Sequence, residues 1–153
     1  MSSNTMQELN DQMVDRLLHQ QPQPLTEGGY ALRVLETRGR RTGRVHRTPL
    51  GVLLRQGTQH LVCPDRSRDW VRNLVTSPDC LLSTAAGSES TRALSVPAPL
   101  AAEIVGCYLA VVTVPWATKS FGLHDDADLA EIEAALPRMA VFALNSRDVT
   151  DTG

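Results

Sequence analysis

The chain has 153 residues, 42% of them hydrophobic and 21% charged, with a formal net charge of -2. Those values describe one soluble globular domain long enough to bury a core. They exclude a helical membrane span, because no apolar run reaches the roughly 20 residues needed; Ala98 to Val114 comes nearest and is interrupted by Glu103.

The polar, acidic N-terminus does not read as a secretory signal. Cys63, Cys80 and Cys107 form no C-x-x-C pair and leave one over in any disulfide scheme. A reducing, cytoplasmic setting is expected, with each cysteine a small buried hydrophobe. The near-neutral charge hides an asymmetry. Between Arg33 and Arg72 ten arginines face three acids, a local balance of +7, while from Glu103 onward eight acids face three bases. A protein for bulk DNA is usually basic overall. Positive charge this local suits a compact polyanion better than a duplex, so no nucleic-acid partner is expected.

In chain order, residues 4 to 20 read as an amphipathic helix, with Met6, Leu9, Met13, Leu17 and Leu18 at helical spacing. Ser3 or Asn4 would cap it, and Pro22 and Pro24 would end it. Such a helix would pack on a core or cover a pocket mouth. Residues 1–24 are therefore read as N-terminal helix and linker, 25–148 as the main folded domain, and 149–153 as a tail.

The organising stretch is Tyr30 to Leu50. Tyr30–Thr37 and Val45–Leu54 have strand character, the second with a break expected at Pro49. Between them Gly39 and Gly43 bracket Arg40, Arg41 and Thr42, with Arg38 and Arg44 outside. Glycine permits positive φ and close backbone approach to a ligand. Arginine offers a permanently charged fork of donors suited to phosphate or carboxylate. The turn reads either as an anion cradle or as a solvated basic hairpin.

Gln56-Gly57-Thr58 is a second turn, pairing the preceding strand with Gln59–Cys63. A loop, Pro64 to Arg68, leads into a short helix over Asp69–Val75, with Ser67 or Asp69 near its cap. Cys80–Ala86 is a strand, Gly87–Ser90 a turn, and Thr91–Val96 a returning strand. Leu100–Val112 reads as a buried helix presenting Leu100, Ile104, Cys107, Tyr108 and Val111. Pro115 to His124 is irregular, Asp126–Leu136 is an acidic surface helix, and Met139–Leu144 is a last strand. This order gives an α+β domain of about six antiparallel strands. Closure into a small barrel would hide their edges.

The chemistry-bearing residues form few recognisable sets. His19, His46, His60 and His124 have no metal-ligand spacing, and there is no H-E-x-x-H, G-x-S-x-G, Walker or dinucleotide fingerprint. No metal is expected. Asp125-Asp126 reads as helix capping and solvation. Cys63, near Arg66, is the one candidate nucleophile. Anion binding plus apolar pocket material, without a catalytic side-chain set, fits an enzyme whose cofactor carries the chemistry.

Gly39-Arg40-Arg41-Thr42-Gly43-Arg44-Val45-His46-Arg47-Thr48-Pro49-Leu50 resembles the G-R-[KR]-[ST]-G-x-x-R-x-T-P-L signature of the deazaflavin-dependent nitroreductase family. Trp70-Val71-Arg72-Asn73-Leu74 resembles its W-x-x-N-L. The likeness covers Leu32 to about Thr84, and Val141–Leu144 is compatible with the family's last strand. It implies a split β-barrel and coenzyme F420, whose reduced form donates hydride to quinones, nitro compounds or activated alkenes.

By that resemblance Arg40, Arg41, Arg44 and Arg47, with Thr42 and Gly43 in the turn, would hold the anionic phosphate and tail. Thr48, Pro49, Leu50 and Gly51, with Val62, Cys63 and Pro64, would lie against the ring. Trp70 and Asn73 would anchor the short helix beside the groove, or serve only as core filler and cap. The sequence departs at His46, where the family more often has Arg, and at Val71 after the tryptophan. It departs again in the 64–69 loop, where Arg66 and Arg68 would restore charge at the phosphate end or select another cofactor or substrate. A small-molecule acceptor would enter over Tyr108, Trp116, Phe121 and His124, with Tyr108 or His124 as proton donor. Flavin mononucleotide (FMN) is the alternative cofactor, a non-catalytic anion-binding barrel the alternative class, and a homodimer is compatible by analogy.

Overall fold

In a computed structural model, described over residues 2–112, 119–123 and 127–146 with side chains from residue 7, six antiparallel strands close into a barrel in the order β1-β2-β3-β6-β5-β4. The strands are β1 (Tyr30–Arg38), β2 (Val45–Arg55), β3 (Thr58–Cys63), β4 (Asp79–Thr84), β5 (Gly87–Ser95) and β6 (Ala140–Ser146). Among the described residues the helices are α1 (Ser2–His19), α2 (Asp69–Thr76), α3 (Leu100–Val111) and α4 (Leu129–Ala135), the last continued by a 3-10 turn at Leu136–Arg138. The α+β split barrel expected from the sequence is present.

Two-residue side-chain alternation divides the apolar residues between two cores. Leu35, Val52, Leu61, Phe142 and Leu144 share one core with Trp70, Val71 and Leu74 of α2. Their strand neighbours Leu53, Val62 and Val141 turn the other way, against Ala101, Ala102, Ile104 and Val105 of α3 and Ile132 of α4. Asp128 caps α4 in a capping box with Glu131. Asp125 and Asp126, read as cappers, lie outside the described residues.

Several local expectations are corrected. β2 runs unbroken through Pro49, which pairs with Val34. β3 pairs only with Leu53–Arg55, so β2 has a free edge at Pro49, the setting in which a strand tolerates proline. The β4–β5 turn is Ala85-Ala86, not Gly87–Ser90, because the first half of β5 is solvent-facing and therefore polar. The buried residues of α3 are Ala101, Ala102, Ile104 and Val105, while Leu100, Cys107 and Val111 are exposed. Cys107 is thus not a buried hydrophobe. Among the described side chains of α1, Val14 is the buried residue and Leu9 is exposed. The N-cap residue of α2, Arg68, makes no side-chain capping hydrogen bond; Ser67 instead donates its backbone N–H and hydroxyl to the Asp65 carboxylate.

Candidate functional site

The split in the barrel follows from the short β2–β3 pairing. β1 pairs with all of β2, but β3 leaves β2 after three register pairs. The free part of β2 borders a cavity of about 670 Å³. Thr48, Pro49, Leu50 and Gly51 form one wall and Leu61, Val62, Cys63 and Pro64 of β3 and its exit form another. Tyr30, Trp70, Tyr108 and Phe121 add aromatic surface, Met13 of α1 lies on the lining, and Arg68 supplies a cation. A second, more open groove of about 1040 Å³ runs between α1, β2 and α2, and Thr48 and Trp70 belong to both. Asp11, Asp15 and Asp69 line it together with His46 and Arg47, so its charge is mixed.

The glycine-bracketed turn is held by its own backbone. Gly39 N–H donates to the Arg44 carbonyl at 2.7 Å and Gly43 N–H to the Gly39 carbonyl at 2.9 Å. Gly43 sits at φ +74°, where a side chain would be strained. Gly39 is needed for another reason: a Cβ there would lie 2.7 Å from His46 Nε2. His46 is thereby placed over the turn.

The arginines of this turn divide sharply. Arg40 points inward, donating through its backbone N–H (3.2 Å) and Nη1 (2.9 Å) to Asn73 Oδ1, and pairing with Asp69 at 3.2 Å. Its side chain is only 17% exposed. Asn73, buried, donates onward to Thr37 Oγ1 at 3.3 Å. Asn73 is therefore a clamp joining the turn, β1 and α2. Arg41 and Arg44 are exposed, and no hydrogen bond or ion pair engages either guanidinium among the described residues. Thr42 Oγ1 accepts from Arg44 N–H, a local turn contact. Arg47 pairs with Glu36 at 3.4 Å and lines the larger groove.

The structure thus brings together Thr48, Pro49, Leu50, Val62, Cys63, Pro64, Arg68, Trp70 and Tyr108 around one cavity. It does not bring Arg66 there: that residue borders a separate groove with Val75, Leu136 and Pro137. Trp116 and His124 lie outside the described residues. Cys63 is buried, its Sγ donates to the Asp65 carbonyl at 3.2 Å, and burial pushes its thiol above the usual range. That is a packed thiol rather than a nucleophile.

The sequence marks Tyr30 for no site role, and Gly51 only for backbone lying against the ring. A Cβ on Gly51 would fall 1.9 Å from the Tyr30 ring, so the missing side chain makes room for the phenol. The Tyr30 and Tyr108 rings meet edge to face at 5.7 Å, and Tyr108 packs on Phe121 at 5.8 Å. Burial raises both phenols, that of Tyr108 furthest. The neighbouring phenols act on each other in opposite directions, Tyr108 easing ionisation of Tyr30 and Tyr30 opposing that of Tyr108. No sequence period marks this pair, because a strand start and a helix separated by most of the barrel supply it.

Residues 9–114 match the family described as F420H(2)-dependent quinone reductase, which spans more than half of the chain, and the protein belongs to that family. No curated protein matches. Among solved structures, a protein of unknown function from Agrobacterium tumefaciens aligns over 90% of this chain at 13% identity and TM-score 0.54. The chain spans only 53% of that protein's length. A candidate pyridoxamine 5'-phosphate oxidase from Listeria innocua aligns over 92% of this chain and 94% of its own, at 12% identity and TM-score 0.51. A conserved hypothetical protein from Mycobacterium tuberculosis aligns over 90% and 80%, at 17% and 0.51. At such identities these likenesses speak to the fold alone.

Proposed function

We propose that the protein binds reduced coenzyme F420 and reduces a small organic acceptor, a quinone, nitro compound or activated alkene. The observation that carries this reading is the free β2 edge at Thr48–Gly51, which faces a largely apolar cavity with the cation of Arg68 on its lining. A flat, mostly apolar ring system fits such a wall, with backbone groups of the unpaired edge offered to its polar rim. Bound there, the reduced deazaflavin would supply the hydride, and the protein supplies position and electrostatics.

The residues present divide the remaining work. Arg68, at the cavity, and Arg41 and Arg44, on the adjoining turn, would hold the phosphate and acidic tail. Arg40 and Asn73 hold that turn against α2 rather than touching the ligand. Trp70 and Pro49 flank the ring position, while Val111, Val112 and Phe121 line the acceptor side and keep water out. Met13 places α1 on the lining, so the first helix covers part of the entrance.

Fluorescence titration with F420 and with FMN, at low and high salt, tests the reading. F420 should bind more tightly, and its affinity should fall as salt screens the exposed arginine contacts. Preference for FMN, or binding of F420 that ignores salt, overturns it.

A further inference from the structure

We propose that Tyr30 is the proton donor to the reduced acceptor and that Tyr108 is a positioning residue that holds the Tyr30 phenol and stabilises its phenolate. This rests on the reading of the cavity given above. An acceptor that has gained a hydride carries one negative charge, which in a quinone resides on oxygen, and one proton completes the hydroquinone. Some group in the cavity must deliver that proton without admitting bulk water. Among the described lining residues, Tyr30, Cys63, Tyr108 and Arg68 carry titratable protons. Arg68 cannot release one in a protein. The Cys63 thiol is buried and directed to the Asp65 carbonyl.

The two phenols remain, and their settings differ. Tyr30 starts β1 and lies across the free edge of β2, in the space left by Gly51; a Cβ there would meet its hydroxyl at 2.4 Å. Tyr108 comes from α3, is held between Tyr30 and Phe121, and is the harder of the two to ionise because burial and Tyr30 both oppose it. A hydroxyl that stays protonated serves best as a donor to its neighbour. Tyr108 therefore donates toward the Tyr30 oxygen, and the Tyr30 O–H is left to turn to the cavity. The step is balanced: the Tyr30 O–H bond breaks, the acceptor oxygen takes the proton, and the phenolate keeps the hydrogen bond from Tyr108. Water returns a proton to Tyr30 when product leaves. Gly51 is the structural condition for this arrangement, since any side chain there would expel the Tyr30 ring.

Tyr30→Phe and Tyr108→Phe in the full chain test the assignment. Three readouts are needed: F420 binding by fluorescence, ultraviolet titration of phenolate in the cofactor-free protein, and turnover of a naphthoquinone. Tyr30→Phe should leave F420 affinity and KM nearly unchanged and lower kcat by about a hundredfold, the loss of a general acid. Tyr108→Phe should move the Tyr30 ionisation to higher pH and lower kcat less. Turnover that survives Tyr30→Phe, or a Tyr30 titration indifferent to Tyr108→Phe, overturns the assignment while leaving the deazaflavin reading intact. Failure of the unmodified protein to bind F420 overturns that reading and the donor role together, even where the phenolate titrations behave as described.

Discussion

Arg41 and Arg44 stand in water at the tip of the β1–β2 turn, whereas Tyr30 and Tyr108 are packed ring to ring inside the split of the barrel. The turn is held by backbone hydrogen bonds, by Arg38 Nη1 donating to the Gly43 carbonyl at 3.0 Å and by the Arg40–Asn73–Thr37 chain, so the guanidinium groups of Arg41 and Arg44 carry no structural duty. The phenols owe their placement to packing: a glycine with no room for a Cβ on one side, Phe121 on the other. Charge at the rim can be changed without touching the fold. In the cavity the two are inseparable, because moving a ring also opens or overfills space.

Gly51→Ala should break this contrast most severely. The new methyl would overlap the Tyr30 ring, and overpacking of this kind costs about 1–3 kcal/mol. Thermal unfolding should show the loss, and near-ultraviolet circular dichroism should report displaced aromatic rings. A variant with the parent's melting temperature and aromatic spectrum would mean that the Tyr30 ring swings away freely.

Within the rim, neighbouring arginines sharpen the comparison. Arg40→Ala leaves Asn73 Oδ1 and Asp69 without their charged donor, and hydrogen bonds to charged groups contribute roughly 1.5–3 kcal/mol. It should lower the melting temperature of the cofactor-free protein. Arg41→Ala should leave that temperature alone yet weaken F420 binding by about ten- to a hundredfold. Arg41→Lys should recover part of the affinity, since the charge returns without the planar fork. Equal melting losses for Arg40→Ala and Arg41→Ala would erase the distinction between clamp and contact.

The smallest effect is expected from pH, away from both regions. His60 on β3 is buried, its Nδ1 has no hydrogen-bond partner among the described residues, and burial followed by the charge of Arg55 lowers its pKa. The folded state therefore binds the proton less readily than the unfolded chain, whose histidine titrates near 6.5. Stability is present above that pH and declines as pH falls through 6.5 toward the lowered folded value. Melting temperatures measured across this window should slope downward toward acid, and His60→Leu should flatten the slope. An unchanged slope in the variant would assign it to other groups.

Much of the architecture was legible in the sequence because its signals are local. Alternating apolar residues mark β1 and β3, Gln56-Gly57 marks a hairpin turn, and the Gly39–Leu50 and Trp70–Leu74 motifs point to the family. Where those signals failed, the reasons are physical. α3 carries one charge, Glu103, and is otherwise apolar around its circumference, so no polar stripe shows which face meets the barrel, and alanines 101 and 102 are buried because small side chains permit close approach. β5 begins on the outside of the barrel and reads as a polar loop. Pro49 looks like a strand break only while its partner strands are unknown.

By itself the sequence determined most of the strands, the β1–β2 and β2–β3 turns, the glycines that shape the first of these, and the concentration of arginine around it, all properties of neighbouring residues. Tertiary structure decided which arginine becomes a clamp, because Arg40 meets Asn73 only when α2 docks across β1. It also decided that Tyr30, Gly51 and Tyr108 share a wall, since β1, β2 and α3 meet there only after the barrel has closed and split between β2 and β3. Contacts between residues far apart in the chain are set by packing, and packing leaves no periodic trace in any one segment.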